Sequence, residues 1–219
     1  LLEQGVPVNS SHVQSATEER NTEVLALYFN GHWDINKEIE WAVPPALAYA
    51  VDDAALTQWF LSRGADPNAQ CLLDITPLSA AVQYAPMSVL KLLFEHGGSI
   101  AFGQLLNYAA WRELDDRVDV VMFLLAKGAP INNIMYQNRM DCYRQREAFA
   151  LGTALHDAAA IGSIDVVKTL VDAGAELRIK DSRGETPLQR AERNNHFDVI
   201  QYLQPLVERE RSTVTTVHR

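Results

Sequence analysis

A chain of 219 residues, 47% of them apolar, carries enough core-forming material for one or two folded domains, which excludes wholesale disorder. A net charge of −9 excludes a general binder of nucleic acid, which needs a basic surface, and leaves room for a basic partner. Two cysteines, Cys71 and Cys142, make neither a disulfide framework nor a zinc set, so an intracellular compartment, cytoplasm or nucleus, is expected; no apolar run is long enough to span a membrane.

The chain opens on "LLEQGVPVN", with neither an initiator methionine nor a signal-like segment. It reads as the end of a unit, closed by Gly5, in a piece cut from a longer protein. One 22-residue pattern then recurs, clearest at Thr153–Gly174. It has a small residue at position six, aliphatics at fourteen and fifteen, and a closing glycine. The first copy starts near Ser11 (Val13, Ala16, Val24, Leu25), with His32 in the glycine's place. The second starts near Pro45 (Leu47, Ala50, Leu56, Gly64) and is slightly short. The third, from Thr76, fits throughout (Leu78, Ala81, Val89, Leu90, Gly97). The fourth, from Gln104 (Leu106, Ala109, Val120, Val121, Gly128), needs extra residues between Trp111 and Asp116. The sixth, from Thr186, follows the fifth by 33 residues (Leu188, Ala191, Val199, Ile200). After Val207 the apolar period stops, which sets an array over residues 1–208, closed by a polar last unit, and a flexible tail over 209–219.

Each unit reads as two short antiparallel helices and a turn. Thr76 and Thr186 are placed as N-caps, with Pro77 and Pro187 at the first helical position, where a missing N–H costs nothing; Gln189 completes a capping box. The alanines at position six let helices approach closely, the aliphatic runs "VVKTLV" and "VVMFLL" fill the space, and Gly64, Gly97, Gly128 and Gly174 end helices in left-handed caps. One such unit cannot bury its own apolar face, so neighbours must stack. "TALHDAA", "TPLQRA", "TPLSAA", "GADPN" and "GAPIN" resemble the signature of ankyrin repeats. The resemblance implies an all-α, L-shaped solenoid with finger loops on one edge and inner helices on a concave face. It also implies that His156 is a structural, hydrogen-bonding histidine.

Departures from the pattern mark candidate binding residues. The finger between Gly97 and Gln104 reads as deleted. The stretch from Gly128 to Thr153 is about twice as long as its counterpart from Gly64 to Thr76, an insertion over residues 135–152 that holds Tyr136, Arg139, Met140, Tyr143, Arg144, Arg146 and Phe149, of which Tyr136, Arg139, Tyr143 and Arg144 are taken as candidates. Tyr, Arg and Met are enriched in interface cores and hot spots. Two readings stand: the insertion touches a partner, or it packs its aromatics back on the array and exposes its arginines. In this family, positions five and eight of the first helix tend to face the concave side. That gives Tyr49, Asp52, Gln83, Tyr108, Trp111, Asp157, Arg190 and Arg193, with Arg112 beside Trp111. These residues make an aromatic groove, unless the aromatics only fill gaps between irregular units.

No metal-ligand spacing, nucleophile elbow or phosphate loop is present, so neither cofactor nor metal nor catalysis is expected. His96 and His196 suit helix ends and connectors. The function expected is non-enzymatic recognition of a protein or peptide by a monomeric fragment. The alternatives are a structural spacer and a substrate-presenting accessory domain of a larger protein or enzyme.

Overall fold

Asparagine and threonine side chains set where the helices begin. In the computed structural model, residues 7–31 and 33–216 are described, with side chains to Glu210. Residues 1–6 with the Gly5 closure, His32, His218 and the end of the expected tail therefore lie outside the described residues. The chain clusters into a first unit up to Leu105 and a second from Leu106.

In the first unit α1 (Ser10–Glu18) pairs with α2 (Thr22–Asn30). Asn9 caps α1 through His12, so the helix begins before Ser11, while Val13 and Ala16 face the core as expected. A two-stranded antiparallel hairpin follows, β1 (Glu38–Glu40) with β2 (Val43–Pro45), in register Glu38 to Pro45 and Glu40 to Val43. The first helix expected near Pro45 is only a 3-10 turn, Ala46–Tyr49. Pro44 and Pro45 hold the chain extended up to that point and remove the N–H groups a longer helix would use. Then come α3 (Ala54–Leu61) and the pair α4 (Pro77–Tyr84) and α5 (Met87–Glu95). The 3-10 turn packs between α1 and α4, and α3 packs on α5.

The second unit is entered through α6 (Leu105–Ala110) and continues with α7 (Arg117–Ala126), α8 (Met140–Arg146), α9 (Ala154–Ile161), α10 (Ile164–Asp172), α11 (Pro187–Arg193) and α12 (Phe197–Thr216). α9 packs on α11, and α10 on α7 and α12. The backbone of α12 runs past Glu208, where the sequence reading ends the array.

The small-residue rule holds where it was applied. Ala16, Ala50, Ala81, Ala109, Ala158 and Ala191 are all buried, and a larger side chain at any of them would force neighbouring helices apart. Thr76 and Thr186 form capping boxes with Ser79 and Gln189, each with proline in the first turn. Gly64, Gly97, Gly128 and Gly174 have φ of 86°, 92°, 87° and 93°, the left-handed region that favours glycine.

Within each unit, asparagines tie neighbouring fingers together. Asn36 Nδ2 donates to the Gly64 carbonyl at 3.1 Å, and its Oδ1 accepts from Asp66 N–H at 2.7 Å. Asn68 repeats this with Gly97 O (2.9 Å) and Ser99 N–H (2.8 Å). In the second unit Asn132 Oδ1 accepts from Glu176 N–H at 2.9 Å. Each clamp satisfies backbone groups left over at a helix end. Asn68→Ala is therefore expected to cost about 1–2 kcal/mol, read as a lower urea midpoint at unchanged m-value.

Candidate functional site

The thirteen candidate residues separate into those that carry surface and those that brace it. In the first unit Tyr49 is half-buried on the 3-10 turn. Burial, and after it the Glu18 and Glu40 carboxylates, push its hydroxyl pKa up. Asp52 is exposed and meets Arg20 Nη2 at 3.0 Å; Gln83 is half-buried on α4.

In the second unit Tyr108, Arg112, Tyr136, Asp157 and Arg190 are buried, which corrects the expectation that they meet a partner directly. The reason is geometric. For Asp157 and Arg190, helices α9 and α11 lie so close that position five points into the seam between them. Arg190 Nε donates to Asp181 Oδ2 at 2.7 Å and Nη1 to Asp157 Oδ1 at 3.1 Å. Asn107 Nδ2 donates to Asp157 Oδ2 at 2.8 Å, and the Trp111 indole also donates to this carboxylate. Tyr108 and Trp111 pack edge to face, ring centres 5.1 Å apart; Trp111 is half-exposed. Arg112 forks onto Asp116 through Nε (2.7 Å) and Nη2 (2.9 Å). Arg193 stays exposed and pairs with Glu185 at 3.1 Å.

His156 is part of the same packing. Its Nδ1 accepts from Thr153 N–H at 3.1 Å while Nε2 donates to the Glu185 carbonyl at 3.1 Å, the pattern of a neutral ring. Burial, then the Arg190 charge, push its pKa down to about 4. Burial pushes Asp157 up to about 6 against the pull of Asn107 and Arg190. Gly152 is required here, because a Cβ would lie 2.6 Å from His156 Cβ.

The insertion is a built platform. Met135 N–H donates to Gly152 O at 2.9 Å and closes its base. Tyr136 and Ala150, both buried, bracket it in the left-handed region at φ 61° and 60°. α8 buries Cys142 beneath it. Leu151 N–H donates to Ser182 Oγ at 2.9 Å, Ser182 Oγ donates to Glu147 O at 2.5 Å, and Arg183 Nη2 donates to Ala148 O at 2.5 Å. The packing reading holds for Tyr136, which is turned inward, but not for Phe149; Met140 and Phe149 are 53% and 69% exposed. Arg144 is exposed, Arg139 and Tyr143 are half-buried, and the Arg146 guanidinium lies 5.4 Å from the Phe149 ring centre. Met140 and Phe149 lie in the insertion read from the sequence but stand outside the thirteen candidates, and they are its most exposed large apolar side chains.

Among the described residues no cluster of three or more His, Cys, Asp or Glu could hold a metal ion, and no helix is long and apolar enough to cross a membrane. Cys71 and Cys142 are buried free thiols, and burial pushes the Cys71 pKa up. His196 Nε2 meets the Ala160 carbonyl at 2.8 Å and His96 Nδ1 the Leu92 carbonyl at 2.9 Å, in the connector and helix-end roles expected.

Residues 134–210 match a family model described as ankyrin repeats (3 copies). Residues 134–210 thus carry ankyrin repeats. An ankyrin repeat domain from Acinetobacter baumannii shares the fold, with a TM-score of 0.60 at 21% identity over 88% of this chain and 95% of that one. An ankyrin repeat and KH domain-containing protein of Caenorhabditis briggsae is 29% identical over 153 residues, 69% of this chain but 5% of its own length. The mouse B-cell lymphoma 3 protein homolog is 25% identical over 80% of this chain and 36% of its own length. Mouse diacylglycerol kinase iota is 48% identical over 53% of this chain and 10% of its own length. The chain thus spans a minor part of each of these relatives. Ankyrin repeats are generally protein–protein interaction modules, and the irregular insertion falls within the residues that match the family.

Proposed function

We propose that these ankyrin repeats form a recognition module that does no chemistry of its own and seats a protein or peptide partner on the insertion. Met140 and Phe149 are the apolar anchors. Arg144, Arg146 and Tyr143 lie between them in sequence, Arg146 over the Phe149 ring, with Trp111 and Arg193 as further contacts. The observation that carries this reading is Phe149, 69% exposed on a segment pinned from Met135 to Leu151 by hydrogen bonds. A large apolar side chain held out on an ordered support binds without first losing conformational entropy. The module is placed inside the cell, in keeping with its buried free thiols.

Paired affinity purification with wild type and Met140→Ser/Phe149→Ser identifies candidate partners. Titration of the purified partner then measures the effect. The double variant is expected to weaken binding at least tenfold, about 2 kcal/mol for a hot spot, while the melting temperature stays within about 2 °C. A variant that keeps every partner at full affinity overturns the proposal.

The length of the relatives favours a second reading, in which the array is the recognition or spacer segment of a larger protein or enzyme. Hydrogen-exchange protection over residues 135–152 that deepens only in a longer chain supports it.

A further inference from the structure

The first unit carries exposed apolar side chains on neighbouring fingers. Trp41 sits in the two-residue turn between β1 and β2 and is 55% exposed. Leu72, at the bend of the next finger, is 58% exposed, and its N–H donates to the Trp41 carbonyl at 3.0 Å. The two backbones are therefore locked side by side. Phe102, 42% exposed, lies on the shortened connection after it. That connection is tied to the Leu72 finger by Asp74, whose carboxylate accepts from Gly103 N–H at 3.2 Å and Gln104 Nε2 at 2.6 Å.

Single exposed apolar residues are ordinary; large ones on adjacent, hydrogen-bonded supports are not. The charges next to Trp41 on its own strand are carboxylates. β1 alternates Glu38 out, Ile39 in, Glu40 out. The nearest cation in sequence, Lys37, is turned over the Trp33 ring, 4.6 Å from its centre. Burial, then Glu18 and then Glu40, raise the Tyr49 pKa, so the Glu40 charge is felt at Tyr49 as well. This finger edge thus offers an aromatic and an aliphatic anchor with carboxylates alongside, the complement of a basic segment bearing a large apolar side chain.

We infer that the finger edge of the first unit, with Trp41 and Leu72 at its centre and Glu38 and Glu40 at its rim, is a docking surface for a basic linear peptide with an apolar anchor. It is separate from the insertion in residues and in charge. Trp41 meets the partner's apolar side chain, Leu72 extends that contact, and the glutamates pair with flanking lysines or arginines. A rim of exposed carboxylates acts on encounter and salt dependence more than on final affinity, so binding weakens as salt rises.

The test uses the whole chain and an immobilised array of 15-residue peptides rich in Lys and Arg, each with Leu, Ile, Phe or Trp at one position. Matched peptides carry Ser in place of the anchor, or Asp and Glu in place of the basic residues. The tightest binder is then titrated by fluorescence anisotropy. Basic, anchored peptides are expected to bind. Trp41→Ala/Leu72→Ser should weaken binding at least tenfold, Glu38→Gln/Glu40→Gln several-fold with a flatter salt dependence, and Met140→Ser/Phe149→Ser not at all. The glutamine pair leaves both anchors in place, so it decides the matter if the first variant disturbs the hairpin. Three results each overturn the inference: no basic, anchored peptide binds; the Ser-substituted peptides bind equally well, which is charge attraction alone; or binding ignores both the Trp41 and the Glu38/Glu40 variants. Loss caused by Met140→Ser/Phe149→Ser instead transfers the site to the insertion.

Discussion

Arg190→Ala is expected to destabilise the chain by about 3–5 kcal/mol, the largest effect of any single substitution considered. Arg190 lies between two buried carboxylates, Asp181 at 2.7 Å and Asp157 at 3.1 Å, and bridges the α9–α11 seam. Its removal leaves both charges out of water with no cation between them. Arg190→Lys should recover only part of the loss, because a single ammonium cannot reproduce the fork that reaches both partners. Urea unfolding of the two variants beside wild type checks this. A loss below about 1 kcal/mol for Arg190→Ala would mean that the carboxylates simply take up protons or water, and that the seam is not held by the ion cluster.

The second large effect is in pH dependence. His156 has a folded pKa of about 4, below its ordinary 6.5, so the folded chain binds fewer protons between those values. Its stabilising share is complete above pH 6.5 and is lost as pH falls through about 4. Asp157 has the opposite sign. Its folded pKa of about 6 lies above the ordinary 3.8, so its share is complete below pH 3.8 and is lost as pH rises through about 6. Asp181 acts outside this window. Burial opposes its ionisation, but Arg190 and the N–H groups of Glu185 and Arg183 hold its pKa below 3.8. Between pH 4 and 6 the slopes of His156 and Asp157 oppose each other, and these two groups together leave wild-type stability nearly flat. Asp157→Asn removes one slope, so stability should climb as pH rises from 4 to 6.5, by on the order of 1–3 kcal/mol. His156→Asn removes the other, and stability should fall over the same range. Urea midpoints at half-unit pH steps measure both. Parallel profiles for the two variants would show that neither buried group titrates as described.

What the sequence disclosed follows from which interactions are local. The threonine caps, the proline after them, the position-six alanines and the closing glycines all act within one unit. They could be read from spacing, and the structure has them at Thr76, Thr186, Ala81, Ala158 and Gly174. The hairpin at Glu38–Pro45 was legible in principle, since Glu38, Ile39 and Glu40 alternate polar and apolar, but a helical template passed over it. Exposure at positions five and eight was not legible. Whether Asp157 and Arg190 face solvent or each other depends on how closely α9 and α11 approach, which a one-dimensional register does not contain. The insertion was found by length and composition. Its inward and outward faces depend on Cys142, Tyr136 and the Ser182 bridge, contacts that only the fold brings together.

The whole reading of the insertion depends on its being a pre-built support for Phe149, and amide hydrogen exchange of the free chain tests that most directly. The N–H groups of Met135, Tyr143 and Leu151, bonded to Gly152 O, Arg139 O and Ser182 Oγ, should be protected to an extent approaching that of α9. Complete exchange across residues 135–151 at the earliest time point, with α9 still protected, would contradict the account.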